Sequence, residues 1–170
     1  LYLLIDNSLT SSVVTGGVPG GSPALERSKA QALNLLAQLD QGRGDRVAVL
    51  TLASPNDGLV LPATPDLAGG GELIRALSPA DSRADFSGAL ARVRDELRRD
   101  GSATTSAGNN WLALLSEFRA GAADTSASVP GLSAVGTPDS GLNVLASTPA
   151  SEPIDNVTIE GVDPLRGVLI

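Results

Sequence analysis

The stretch LYLLIDNSLTSS (residues 1–12) decides the fold. An apolar run from Leu1 to Ile5 ends on Asp6, which is the pattern of a buried strand in a parallel sheet followed by its exit loop. Four hydroxyl-bearing residues follow within six positions: Ser8, Thr10, Ser11 and Ser12. Two interpretations are open at this point. The oxygens are either a set of metal ligands or the side chains of an ordinary polar turn.

Strand and helix patterns alternate outward from this stretch. A helix is predicted over 23–40, with Ser22 as its N-cap, and the run RVAVLTLAS (46–54) predicts a second buried strand. The brief run LVL (59–61) follows a PNDG turn and predicts an antiparallel hairpin partner. A short helix over 72–77 and a longer one follow; the apolar stripe of the longer helix is Phe86, Ala89 or Leu90, Val93 and Leu97.

Two further apolar runs complete the pattern. WLALLS (111–116) predicts a third strand and GLNVLAS (141–147) a fourth parallel strand. This alternation predicts an α/β doubly wound domain of the Rossmann type, in which a mainly parallel sheet is flanked by helices and carries one short antiparallel edge strand.

We expect residues 1–170 to form a single domain, because the chain is too short for two. The sequence begins inside a strand, so we expect it to be a piece of a longer protein. A long loop is predicted over 119–141 and a C-terminal extension over 150–170, with strand-like runs NVTIEGV (156–162) and GVLI (167–170). The apolar runs of the chain are all shorter than the roughly 20 residues that a membrane-spanning helix needs.

The composition excludes several kinds of chemistry. The chain has no Cys and no His, which excludes a thiol nucleophile, a Ser-His-Asp relay and a His/Cys zinc site. Lys29 is its one lysine and lies outside any phosphate-binding loop motif. The net charge of −7 and the four aromatic residues argue against nucleic acid as a partner. The chemistry left is that of carboxylates and hydroxyls, which suit Mg²⁺, Mn²⁺ or Ca²⁺.

Acidic residues stand at the predicted carboxyl ends of two strands. Asp6 follows the first strand and Glu117 follows WLALLS, and ligands of open parallel sheets bind at this edge. Such a site would leave coordination positions free for a carboxylate of a partner. Asp85 has two interpretations: a residue near the N-terminus of the following helix, which its dipole favours, or a metal ligand.

These residues resemble the von Willebrand factor type A family. Residues 6–10 (DNSLT) are similar to its Asp-x-Ser-x-Ser metal-ion-dependent adhesion motif, with Thr10 in the last position. The segment RADFSGALARV (83–93) resembles the loop and helix of the family's second metal loop, and WLALLSEF (111–118) the strand before its third. The resemblance covers about residues 1–118. Within the family, the sequence pattern is similar to the von Willebrand A regions of bacterial membrane-anchored proteins of the BatA or aerotolerance-operon type. It implies metal ligands at Asp6, Ser8 and Thr10, with Asp85 and Glu117 as further candidates.

The sequence also departs from that family's pattern. Ala84 stands where the second loop has a metal-binding Thr, and Asp85 or Ser87 is the available substitute. Glu117 and Phe118 stand where the third loop has Asp followed by Gly. The adhesion site is therefore expected to be degenerate, and the cofactor is either a divalent cation, with Mg²⁺ first, or none.

The resemblance implies a non-enzymatic protein-interaction module whose partner is another protein, contacted through a divalent cation at the sheet edge. It also implies a domain attached to a bacterial membrane through its parent protein. One alternative is a structural domain of this fold that has lost metal binding. Another is a metal-assisted hydrolase using Asp6, which would need a general acid or base that a chain without His scarcely offers. We expect no small-molecule substrate.

Overall fold

The computed structural model describes residues 1–12, 14, 22–99, 110–118 and 142–147. Within these residues the chain forms β1 (Tyr2–Ile5), α1 (Ala24–Leu36), β2 (Val47–Thr51), β3 (Gly58–Thr64), α2 (Leu67–Ala76), α3 (Phe86–Arg99), β4 (Asn110–Leu115) and β5 (Leu142–Ala146). Short 3₁₀ turns lie at Leu9–Ser12 and Gln41–Arg43. The predicted loop over 119–141 and extension over 150–170, with its two strand-like runs, lie outside the described residues.

The strands form one sheet in the order β3-β2-β1-β4-β5. Neighbouring strands are parallel except for β3, which pairs antiparallel with β2. This confirms the predicted α/β class, including the antiparallel edge strand. The central strand β1 is in register with both neighbours, so that Ile5 lies beside Thr51 and Leu115. The segments that leave β1 and β4 therefore emerge side by side at one edge, which we call the carboxyl edge of the sheet.

Apolar side chains fill both faces of the sheet. One core cluster joins α3 to residues such as Leu4, Leu50 and Leu112, and the predicted stripe of α3 is buried in it. The other joins α1 and α2 to Leu3, Val49 and the rest of the opposite face. Each fully buried leucine contributes about 1.5–3 kcal/mol. Burial on both faces explains why β1 and β2 are continuous apolar runs rather than alternating ones.

The helix boundaries differ from the prediction in three places, the first being that α1 ends at Leu36 and not at residue 40. Pro23, not Ser22, occupies the N-cap position of α1, and no side chain caps that end. Helix α2 starts five residues earlier than predicted, because the Asp66 side chain accepts a hydrogen bond of 2.9 Å from the Gly69 N–H and caps it. The glycines at 69–71 are part of this helix. A Cβ at Gly70 would lie 3.2 Å from the Val47 side chain, so glycine lets α2 pack closely on the sheet.

A shallow groove lies away from the carboxyl edge. Trp111, at the start of β4, is 42% exposed and borders this groove with Leu35, Leu39 and Leu145. Among the helices of the described ranges, none is long and apolar enough to cross a membrane.

Candidate functional site at the carboxyl edge

The first loop of the edge is built around a buried carboxylate. Asp6 is 3% exposed, and its Oδ1 accepts hydrogen bonds from the Ser8 N–H at 3.0 Å and the Ser8 hydroxyl at 2.6 Å. The Oγ of Ser8 lies 3.2 Å from the Oγ1 of Thr10. The structure thus brings together three of the predicted site residues as a continuous string of oxygens at the end of β1.

Ser116 adds a fourth oxygen that the sequence did not single out. Its hydroxyl donates to Oδ2 of Asp6 at 2.6 Å and accepts from the Phe118 N–H at 3.0 Å. Because Ile5 pairs with Leu115, the next residues of the two strands face each other, and the Asp6 N–H donates to the Leu115 carbonyl at 2.9 Å. This contact depends on the register between β1 and β4, which is fixed only when the sheet assembles and cannot be seen in the local sequence.

Glu117 takes a different partner from the one that the resemblance implies. Its Oε1 forms an ion pair with the guanidinium of Arg27, in the first turn of α1. The Glu117 side chain is 15% exposed and that of Arg27 is 36% exposed. Arg27 also donates to the carbonyl of Ser22. The acid after β4 is therefore held by a cation from the protein itself.

The residue after Glu117 keeps a backbone shape that favours glycine. Phe118 has φ of 49°, in the left-handed region that a side chain disfavours. Its ring stacks on Phe86 at a centroid distance of 5.9 Å and an angle of 27° between planes. The loop thus has a turn that suits the Gly of the resembled motif, while its side chain is bound into the core.

Asp85 serves as the cap of α3. Its Oδ1 accepts a hydrogen bond of 2.9 Å from the Gly88 N–H, and its own N–H donates to the Leu52 carbonyl at 2.7 Å. This contact matches the first of the two interpretations of the sequence, a residue at a helix N-terminus. The preceding Ala84 forms an isolated bridge with Ala53 and offers no side-chain oxygen.

Two buried asparagines hold the loops of this edge, and sequence analysis missed both. Asn7 donates to the Ser78 carbonyl at 3.3 Å and accepts from the Ala53 N–H at 3.1 Å. The side-chain amide of Asn56 lies within 3.2 Å of three carbonyl oxygens, those of Thr51, Leu52 and Asp85. A polar residue just after a buried strand was their only local signal.

The residues present fit a hard divalent cation in their chemistry. Asp6, Ser8, Thr10 and Ser116 offer only oxygen, the ligand that Mg²⁺, Mn²⁺ and Ca²⁺ prefer. The hydroxyls of Ser11 and Ser82 are buried and lack a hydrogen-bond partner within the described residues, and the Ser82 carbonyl accepts from the Leu9 N–H at 2.9 Å. Unsatisfied buried hydroxyls beside this loop are open to a further ligand.

The charge of the site is low for such a cation. In the part of the chain that the structure describes, no three acidic side chains gather at one point as metal ligands. Asp6 contributes one carboxylate, whereas Glu117 is paired with Arg27 and Asp85 caps a helix. A cation here would be bound mostly by neutral hydroxyls.

Solved structures share this fold. The chain has a von Willebrand factor type A-like fold, because it superposes on the SpRpn10 VWA domain with a TM-score of 0.52 at 12% identity, covering 89% of this chain and 88% of that domain. No protein-family model matches the sequence. No curated protein matches it either.

Particular bacterial proteins share this fold. An aerotolerance-related membrane protein from Bacteroides fragilis matches with a TM-score of 0.60 at 18% identity, over 97% of this chain and 74% of that one. BatB from Bacteroides thetaiotaomicron matches with a TM-score of 0.57 at 15% identity, over 86% of this chain and 65% of that one. The similarity to BatB and the aerotolerance-related protein confirms the predicted resemblance in fold.

Proposed function

We propose that this chain is a non-enzymatic protein-interaction module whose binding surface is the carboxyl edge of the sheet. The observation that carries the proposal is the cluster formed by Asp6, Ser8, Thr10 and Ser116, linked by contacts of 2.6–3.2 Å. Leu9, in the middle of this polar loop, is 57% exposed. An exposed apolar side chain next to a polar cluster can contact another protein.

We further propose that a divalent cation takes part in this binding. Asp6, Ser8 and Thr10 would hold it, and Mg²⁺ is the first candidate, with Mn²⁺ and Ca²⁺ as alternatives. Once bound, the cation would supply a positive charge that a carboxylate of the partner can ligate. The chain's own residues orient the site, since Ser116 fixes the carboxylate of Asp6 from the neighbouring strand.

The second candidate is a structural domain that has kept the fold without the metal. Ala84 and the Arg27–Glu117 ion pair favour this alternative, because they remove one oxygen and occupy one carboxylate of the resembled site.

A hydrolase is the weakest alternative. The sequence has no His or Cys, and the described edge offers carboxylates and hydroxyls alone as acids or bases. The proposal therefore includes no small-molecule substrate and no nucleic acid.

The parent protein is proposed to be membrane-attached. Proteins of similar fold include the aerotolerance-related membrane protein and a membrane-spanning protein from Vibrio fischeri, the latter with a TM-score of 0.51 at 16% identity. The chain spans 65–74% of the length of these two proteins and BatB. In this view the domain projects from a bacterial membrane towards its protein partner.

Thermal unfolding with and without cation tests the metal. We expect millimolar Mg²⁺ or Mn²⁺ to raise the melting temperature of the wild type, because a ligand that binds only the native state stabilises it by mass action. D6N should lose this shift, whereas D81N, which changes an exposed acid in the loop before α3, should keep it. If neither cation changes the melting temperature of the wild type or of D6N, the structural candidate is favoured.

Crosslinking in cells tests the interaction surface. A photoreactive residue at Leu9 should capture a defined partner, while the same residue at the exposed Arg43, near the amino end of β2, should not. Capture at Arg43 alone would place the partner on the wrong edge and contradict the proposal. D6A should weaken capture from position 9 if the oxygen cluster contributes to the contact.

A further inference from the structure

Arg27 and Glu117 are the charged pair at the carboxyl edge that the proposed function does not use. They are 90 residues apart in sequence and meet where the first turn of α1 passes the end of β4. The Glu117 carboxylate is mostly buried, and a buried carboxylate is costly unless a charge or hydrogen-bond donor compensates it. The guanidinium of Arg27 supplies that compensation without a metal.

The carboxylates of the two loops therefore differ in the charge of the groups that bind them. Asp6 is bound by neutral donors, namely the N–H and hydroxyl of Ser8 and the hydroxyl of Ser116. Glu117 is bound by a full positive charge. A cation that approaches Asp6 meets no competing charge among these donors, whereas one that recruits Glu117 has to replace the Arg27 contact.

We propose that Arg27 is a built-in competitor for Glu117: it holds this carboxylate in the metal-free chain, and a divalent cation gains Glu117 as a ligand only by displacing the guanidinium. This inference rests on the proposed cation site at Asp6. It assigns to Arg27 the tuning of cation affinity at that site. It also explains how Glu117, a longer acid than the Asp of the resembled motif, is accommodated beside the start of α1.

Binding of Mn²⁺ alone, followed by electron paramagnetic resonance of the free ion, tests the inference on the full 170-residue chain. R27Q should bind Mn²⁺ about twofold to fivefold more tightly than the wild type, the range expected for loss of a partly exposed ion pair. R27K keeps the charge and should stay within about twofold of the wild type on the same reasoning. R75Q is the matched control, because Arg75 forms an exposed pair with Glu72 on α2. Circular dichroism establishes that each variant is folded.

The E117Q background decides whether the effect acts through Glu117. R27Q should change Mn²⁺ affinity in the wild type and leave it unchanged in E117Q, because the carboxylate in competition is then absent. An equal gain in both backgrounds would indicate a general charge effect and overturn the inference. Binding to R27Q but not to the wild type would support it.

Two further outcomes separate this inference from the proposed function. If the wild type binds Mn²⁺ and R27Q binds it equally, Arg27 is not a competitor, and the cation site at Asp6 stands. If neither the wild type nor R27Q binds Mn²⁺, both the cation site and the role of Arg27 are overturned.

Discussion

The loops after β1 and β4 emerge side by side, and they compensate their buried carboxylates in opposite ways. Each contains a mostly buried carboxylate, Asp6 in one and Glu117 in the other. Asp6 is satisfied by neutral N–H and O–H donors from its own loop and from Ser116. Glu117 is satisfied by a guanidinium from a distant helix. The first arrangement leaves negative charge available at the edge, and the second cancels it.

This difference predicts that the loop after β1 depends most strongly on its acid. D6A should lower the free energy of unfolding by about 3 kcal/mol, because it leaves the buried donors of Ser8 and Ser116 without an acceptor. D6N keeps part of the acceptor capacity and should cost about 1–2 kcal/mol. Urea denaturation followed by circular dichroism measures both. D81A changes an exposed acid and should stay within about 0.5 kcal/mol of the wild type. A D6A variant as stable as the wild type would show that these hydrogen bonds contribute little.

Ser116 is the next test, because it joins the two loops. S116A should cost about 1–2 kcal/mol, since it removes the donor to Asp6 and the acceptor for the Phe118 N–H. S87A, on the exposed side of α3, is the control and should be nearly neutral. Combining S116A with D6A should cost less than the sum of the two, because the same hydrogen bond is lost in both. Strict additivity would argue against their contact.

The ion pair of the second loop should be worth less. Arg27 is more than a third exposed, so R27Q should lower stability by less than about 1 kcal/mol after allowance for screening by solvent. Raising the salt concentration should shrink the difference between R27Q and the wild type while leaving that of S116A unchanged. The measurement is urea denaturation at low and high NaCl. A salt-independent loss would mean that Arg27 acts through packing rather than charge.

Phe118 sets a backbone cost against a ring contact. F118G relieves a left-handed backbone cost of about 1 kcal/mol, but it loses both the stacking on Phe86, worth about 0.5–1.5 kcal/mol, and the apolar burial of the ring against the core, so a net loss within about 1 kcal/mol is expected. F86A, in the same stack but buried in the core, should cost about 3 kcal/mol. Comparing the two unfolding curves separates the turn from the packing. An F118G variant more stable than the wild type would show that the backbone cost outweighs the ring.

The sequence predicted the fold well wherever periodicity was strong. The continuous apolar runs of β1 and β2 and the stripe of α3 correspond to buried faces in the structure. The start of α2 differs from the prediction because a glycine tract weakens helical propensity, and the Asp66 cap offsets this in the folded chain. Gly70 is tolerated there since close packing on Val47 compensates for its conformational freedom.

The candidate site was predictable only in its local part. Asp6, Ser8 and Thr10 lie within five residues, so one motif covers them, and the structure brings them together. Ser116 and Arg27 were not predicted, because their contacts depend on strand register and on the placement of α1. Local sequence specifies which oxygens a loop carries, but tertiary structure specifies which charges they meet.

Trp111 has a practical consequence for all of these measurements. It is the single tryptophan of the chain and lies at the amino end of β4. Five residue steps separate it from Ser116, which is about 16 Å along a strand. Its intrinsic fluorescence therefore reports loss of the sheet as a whole and stays largely insensitive to a cation or partner at the opposite edge. The chain carries its own optical probe of unfolding, well separated from the site whose occupancy is to be varied.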